Sequence, residues 1–218
     1  IVQARMGSTR LPGKVLRPIL GVPMLAHIVR RLASARTVDK VVVATSDLPG
    51  DDAVAELCAK EGIPCFRGSE SDVLSRFAHA ARAHDADPLL RVTADCPFVD
   101  PGTVDRLVAM YREGEYDYVA VATGAGAAHR SDGRFPDGLD AECFSRSALE
   151  RAEREATHAL DREHVTPYVW RNATKFRTGQ LTSPRDLHAL RLTVDTEADL
   201  VLSNDGTVRK SSGSGTSI

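Results

Sequence analysis

Short apolar runs and amphipathic stretches alternate along the first half of the chain. Val41, Val42, Val43 and Ala44 form an uninterrupted, largely β-branched run that ends at Thr45-Ser46-Asp47. That pattern predicts a buried strand with a polar carboxyl end. Before it, residues 23–36 place Met24, Ile28, Val29 and Leu32 on one helical face with arginines elsewhere. After it, residues 52–61 predict a helix closed by Gly62, the residue type favoured just past a helix end. Residues 63–66 read as a strand, and residues 71–84 as a helix with Leu74, Phe77, Ala78 and Ala81 inward. Residues 89–92 are again strand. Residues 101–112 are helical, with Pro101 in the first turn where proline is tolerated. Residues 118–121 give a further strand.

Such alternation implies an α/β fold: a mostly parallel sheet with helices on both faces. Ligands then sit beyond the carboxyl ends of the strands, so the loops after Ala4, Ala44, Phe66 and Val92 are expected to form one wall. From residue 122 to about 180 the alternation lapses. The Gly124–Ala128 run reads as a loop, Phe135-Pro136-Asp137-Gly138 as a turn, and residues 145–156 and 162–171 as helices. This segment is expected to be a small inserted lobe that supplies the second substrate's pocket and a homodimer contact. Residues 190–195 return to strand character. A transferase domain over 1–202 followed by a flexible tail at 203–218 is the expected organisation.

Composition narrows the partners. The 218 residues carry a formal net charge of −2, with both signs dispersed. No basic stripe is present, which argues against a nucleic-acid partner, and no apolar run approaches the ~20 residues that span a bilayer. Cys58, Cys65, Cys96 and Cys143 lack zinc-ligand spacing and read as small buried groups in a reducing compartment. With no signal-peptide pattern, a cytoplasmic setting is expected. The opening Ile1-Val2-Gln3-Ala4 reads as a first strand entered part-way.

The densest chemistry follows that strand. Between Gln3 and Lys14 lie Gly7 and Gly13, Ser8 and Thr9, and the cations Arg5, Arg10 and Lys14. Glycines let backbone N–H groups approach an anion, and arginine forks match phosphate oxygens. The spacing excludes a Walker loop, since five residues separate Gly7 from Gly13 and Val15 follows Lys14. A dinucleotide-binding glycine pattern is absent too. Two lone carboxylates, Asp95 in Thr93-Ala94-Asp95-Cys96-Pro97 and Asp195 in Thr193-Val194-Asp195-Thr196, stand at strand ends. They suit a magnesium ion, which takes one or two carboxylates beside phosphate oxygens and water. Each also suits an Asx turn or helix cap. Of the seven histidines, His164 alone is singled out for function.

These segments together resemble the cytidylyltransferase family, which includes the CMP-sialic acid and CMP-KDO synthetases and the spore-coat polysaccharide F group. The resemblance rests on residues 3–14, 44–47, 65–77, 91–101, 135–144, 162–168 and 191–200 in the family's order. The spore-coat group is the nearest in Phe66-Arg67-Gly68-Ser69-Glu70-Ser71-Asp72 and Arg162-Glu163-His164-Val165-Thr166-Pro167-Tyr168. The resemblance implies a nucleotide-diphospho-sugar transferase fold of the glycosyltransferase A type. It implies the coupling of CTP to a sugar, of acidic or nonulosonic type, with Mg²⁺ and release of pyrophosphate. By position, Arg5, Gly7, Ser8, Arg10 and Lys14 would hold the triphosphate, with Arg5 and Lys14 catalytic. Ser46, Arg67, Ser71 and Asp72 would lie near the base, and Asp95 and Asp195 would bind the metal. Asp137, Asp140, Glu142, Arg162, Glu163 and His164 would face the sugar. Ala94 stands where the family usually carries glycine, and Ser203-Asn204-Asp205-Gly206 interrupts the helix after Asp195. Another nucleoside triphosphate, or a non-catalytic binding module, remain alternatives on the residues alone.

Overall fold

The computed structural model describes residues 1–121 and 134–207, and the backbone of 208–210 and 215–217. In chain order the elements are β1 (Val2–Gln3), β2 (Pro18–Ile19), β3 (Val22–Pro23), α1 (Met24–Ala33), β4 (Val43–Ser46), α2 (Asp52–Glu61) and β5 (Cys65–Gly68). Next come α3 (Val73–Ala83), β6 (Leu89–Thr93), α4 (Pro101–Glu113), β7 (Tyr118–Ala120), β8 (Glu142–Phe144) and α5 (Arg146–Glu155). The chain continues with α6 (Ala159–His164), α7 (Pro167–Arg171), β9 (Thr178–Gln180), β10 (Leu190–Arg191), α8 (Glu197–Asn204), β11 (Thr207–Lys210) and β12 (Gly215–Ser217).

Local chemistry sets the helix ends. Asp72 caps α3 by accepting the Ser75 N–H, Asp100 caps α4 through Thr103 N–H, and Ser145 caps α5 through Ala148 N–H. Each satisfies an amide that a helix start leaves unpaired. Gly62 ends α2 at φ 67°, as its sequence position predicts. At α8, Thr196 and Asp199 form a reciprocal capping box. The helix stops at Asn204, within the Ser203–Gly206 break.

The main sheet has the order β5-β4-β1-β6-β8-β7-β9. β5, β4, β1 and β6 run parallel, β8 is antiparallel to both β6 and β7, and β9 is parallel to β7. Side chains alternate across it, so Val43, Val119 and Val121 join one core with α1, α2 and α4. Ala44, Tyr118 and Ala120 join the other, with α3 and α5. Both faces are therefore covered, as the apolar strand runs require. From β1 the chain builds outward through β4 to β5, then returns to β6 on β1's other side. That reversal opens a crevice beyond the carboxyl ends of β1 and β6, where α/β sheets bind ligands.

Several details differ from the sequence pattern. Among the described residues of the expected lobe, β8 and β9 belong to the main sheet rather than standing apart. Their three-residue length is too short for a period to show. The single helix expected over 162–171 is two, α6 and α7, broken at Val165. Strand geometry over 190–195 is confined to β10, and the segment expected as a tail carries β11, paired antiparallel with β10 and β12. The Gly124–Ala128 run and His129 lie outside the described residues. Ala94 does not fall among the positive-φ residues, so its methyl group carries no backbone penalty.

Candidate active site

The loop after β1 is anchored from below by a buried carboxylate. Asp51 accepts the Met6 N–H at 2.6 Å through Oδ1 and the Ser46 N–H at 3.1 Å through Oδ2. Burial opposes its charge, yet these amides keep the Asp51 carboxyl below its usual range. The loop then turns on itself, with Ser8 N–H and Gly13 N–H both donating to the Met6 carbonyl. Gly13 takes φ 66° and carries the chain into the turn that presents Lys14.

Lys14 stands at the centre of the site. Its Nζ lies 3.2 Å from Asp95 Oδ2 and 2.8 Å from Asp195 Oδ1. Arg10 reaches Asp195 Oδ2 at 3.2 Å. The two aspartates that the sequence separates widely thus share one ammonium. A backbone bond holds them together: Val194 N–H donates to the Asp95 carbonyl at 2.9 Å. Thr93 Oγ1 fixes Asp95 by donating to Oδ1 at 2.5 Å. Although burial opposes both charges, Lys14 is raised by the two aspartates and Asp195 is lowered, chiefly by Lys14. The ion pairs are formed.

Around this triad is a cavity of about 540 Å³. Of the predicted triphosphate residues, Arg5, Gly7, Ser8, Arg10 and Lys14 all line it. So do Asp95, Asp195, Asp137, Asp140, Glu163 and His164. Glu163 approaches Arg5 at 4.0 Å. Burial lowers the His164 imidazole below its ordinary range despite the opposing pull of Glu163.

Other predicted residues lie elsewhere. Glu142 does not reach the cavity: it is 1% exposed and ion-paired with Arg91, and it accepts the Tyr118 and Thr166 hydroxyls. Its role is internal, because a carboxylate at that depth must be paired. Arg162 and Asp72 pair with each other beside α3, and Arg162 also donates to the Glu153 carbonyl. Ser46 is buried, and Arg67 spends its guanidinium on the Ser46 and Leu48 carbonyls and on Asp52. Ser71 lies next to Asp72 at the start of α3, with its hydroxyl 3.5 Å from that of Ser69. Ser46, Arg67, Ser71, Asp72 and Arg162, like Glu142, fall outside the cavity lining.

Sequence reasoning missed Gln3, Arg91, Thr193 and Arg191. Arg191 donates to Asp195 Oδ2 at 2.7 Å and to Asp137 Oδ2 at 3.0 Å, so it ties the two carboxylates to one guanidinium. Its position four residues before Asp195 is helical spacing in an extended segment, which hides the pair. Gly138 permits the close approach of this segment. It has φ 102°, and a Cβ there would stand 2.4 Å from Thr193 N.

Asp140 gives a pH signature. It is buried, and burial, then Asp137 and Asp95, push its carboxyl up to about 8. In the unfolded chain the group ionises near 3.9, at about the free value. Between those values the native state binds the extra proton, so its stability contribution is present below ~4 and is lost as pH rises towards ~8. Asp140→Asn, unfolded by denaturant without divalent cations, is therefore expected to gain stability relative to the parent from about pH 5 to 8. Parallel pH profiles for the two proteins would show Asp140 to be ionised throughout.

Among the described residues, no group of three or more His, Cys, Asp or Glu side chains is placed to hold a metal. Two carboxylates nonetheless suit magnesium, provided water and phosphate oxygens complete its shell.

A sheet covered on both faces, with a glycine and cation loop opening at its switch point onto two facing aspartates, defines a nucleotidyltransferase. Comparison with known proteins agrees. Residues 1–202 match the family model described as cytidylyltransferase. The spore coat polysaccharide biosynthesis protein SpsF of Bacillus subtilis is 35% identical over 206 residues, covering 91% of this chain and 81% of that protein. A 3-deoxy-manno-octulosonate cytidylyltransferase of Anaeromyxobacter dehalogenans is 30% identical over 211 residues, covering 88% and 82%. The solved structure of a cytidylyltransferase from Leptospira borgpetersenii superimposes with a TM-score of 0.84 at 32% identity, covering 94% of this chain and 84% of that one. The chain belongs to the cytidylyltransferase family. No described helix is long and apolar enough to cross a membrane.

Proposed function

We propose that this enzyme transfers the cytidylyl group of CTP to a sugar hydroxyl, forming a CMP-sugar and pyrophosphate for surface polysaccharide or glycoconjugate synthesis. The observation that carries the reading is Lys14 Nζ held between Asp95 and Asp195 at the mouth of the cation loop. The sugar's hydroxyl oxygen attacks the α-phosphorus and gives up its proton to solvent, the bond to the β-phosphate oxygen breaks, and pyrophosphate departs. Arg5, Arg10 and Lys14 would meet the charge that develops on that leaving group, and such preorganised charge is a large catalytic term. Binding the triphosphate gives Lys14 and Arg10 new anionic partners and relaxes their hold on the carboxylates. Asp95 and Asp195 would then hold Mg²⁺, which supplies charge withdrawal at the reacting phosphate. Asp137, Asp140, Glu163 and His164 would border the sugar. The similarity to a 3-deoxy-manno-octulosonate enzyme supports an acidic sugar, of ulosonic or nonulosonic type.

A thermal-shift panel of CTP, UTP, GTP and dTTP with Mg²⁺ tests the nucleotide. CTP is expected to give the largest stabilisation, and a preference for GTP would overturn the cytosine assignment. Incubation with CTP and a panel of ulosonic, nonulosonic and neutral sugars, with products identified by mass, tests the reaction. Nucleotide binding without pyrophosphate release from any sugar would make the protein a binding module instead.

A further inference from the structure

Between α6 and α7 the backbone adopts a conformation that its residue type disfavours. Val165 has φ 71° and ψ −54°. The N–H of Thr166 donates to the carbonyl of His164 at 2.8 Å, which closes a three-residue γ-turn around Val165. The positive-φ form of this turn is rare and strained. A β-branched residue suffers most in it, because its Cβ substituents crowd the neighbouring carbonyls. Glycine would adopt the turn freely, yet the valine is 1% exposed and packs in the core with Tyr168 and Val169.

The turn is held from both sides. Val165 N–H donates to the Asp161 carbonyl at 3.0 Å, and Thr166 Oγ1 donates to the buried Glu142 Oε1 at 2.7 Å. Asp161 is itself buried and ion-paired with Arg171 on α7. Pro167 at the start of α7 would have ended a helix without any positive φ. Termination alone therefore does not account for the distortion. Strained conformations persist only where the surroundings over-determine them, and they cluster at functional sites. The two residues just before this one, Glu163 and His164, line the cavity, and Glu163 faces Arg5 of the phosphate loop. Had α6 run on in one helix, α7 could not fold back to pair Arg171 with Asp161 and Thr166 could not reach Glu142, the contacts that hold the end of α6 and those two residues at the cavity.

We infer that the Val165 γ-turn is a strained positioning device that fixes Glu163 and His164 against the sugar side of the cavity. Val165 is a positioning residue and touches no substrate itself. The sugar-binding part rests on the activity proposed above, whereas the strain and the His164 environment do not.

Three proteins test it: the parent, Val165→Gly and Val165→Ala. Glycine is ordinarily less stabilising than alanine, but at positive φ the order reverses. Val165→Gly is therefore expected to show a higher denaturant midpoint than Val165→Ala. The His164 imidazole, assigned with His164→Gln, is followed by NMR titration. Its midpoint is expected to stay low in Val165→Gly, which keeps the turn without strain, and to move up towards the free value in Val165→Ala, whose Cβ still opposes the positive φ while the valine packing that holds the turn is gone. With the sugar identified by the mass panel, KM for the sugar should rise about tenfold or more in Val165→Ala, while KM for CTP changes far less. An alanine variant as stable as the glycine one would remove the strain. A well-folded alanine variant with an unmoved His164 titration would leave the turn a packing feature and overturn the inference, whether or not any sugar is turned over.

Discussion

Asp95→Asn is expected to lower the rate of pyrophosphate release by about 10²–10³-fold, the range found when one preorganised charged or dipolar contact is removed from a reacting centre. The substitution keeps the shape of the side chain, and an amide oxygen can still accept the Thr93 hydroxyl that now donates to Oδ1. What it removes is the negative charge that faces Lys14 and that would share the divalent ion. Fold and stability should hold, because Asp95 is partly exposed and Lys14 keeps its partner Asp195 at 2.8 Å. Asp195→Asn is the less clean experiment. Asp195 neutralises Lys14, Arg10 and Arg191 together, so its loss would leave three cations facing an amide. A coupled pyrophosphate assay, with circular dichroism to verify folding, decides the matter. Turnover by folded Asp95→Asn within a few fold of the parent would take this carboxylate out of the chemistry.

The largest expected loss of stability lies away from the reacting atoms. Glu142→Ala is expected to cost about 3–5 kcal/mol, the range for removing one partner of a buried ion pair. Arg91 and Glu142 face each other across β6 and β8, each 1% exposed. Without Glu142, the buried guanidinium of Arg91 loses an ion-pair partner and the Tyr118 hydroxyl loses its acceptor. For a chain of this size the melting temperature should fall by roughly 10 °C. Glu142→Gln should cost less, since an amide oxygen still accepts while only the charge is gone. Scanning calorimetry of both variants separates the contributions. A melting temperature for Glu142→Ala within a degree or two of the parent would mean that the network is dispensable and that the residue has another purpose.

Much of the scaffold was legible in the amino-acid order because its causes are local. Apolar β-branched runs mark strands buried on both faces, and Asp72, Asp100, Ser145 and Gly62 mark helix ends by bonds or dihedrals within a few residues. The cation loop was legible for the same reason, since its glycines and its three basic residues are near neighbours. Roles that depend on depth were not. Asp95, Asp140 and Glu142 are alike as letters, and burial, partners and neighbouring charge separate them. Only the folded chain shows one facing Lys14, one whose ionisation is opposed by burial and by neighbouring acids, and one locked inside the sheet with Arg91. Similarly, nothing about valine announces the turn at position 165, because its conformation is imposed by bonds from Asp161 and by the Thr166 contact to Glu142.

Taken alone, then, the sequence determined the parallel half of the sheet, its covering helices and the glycine and cation loop after β1, all of which follow from periodicity and short-range chemistry. Tertiary structure decided which carboxylates converge. The bond from Val194 N–H to the Asp95 carbonyl brings distant segments side by side, and Arg191 fixes the orientation of Asp195. Pairings of that kind depend on where the chain returns in space, which no local pattern encodes.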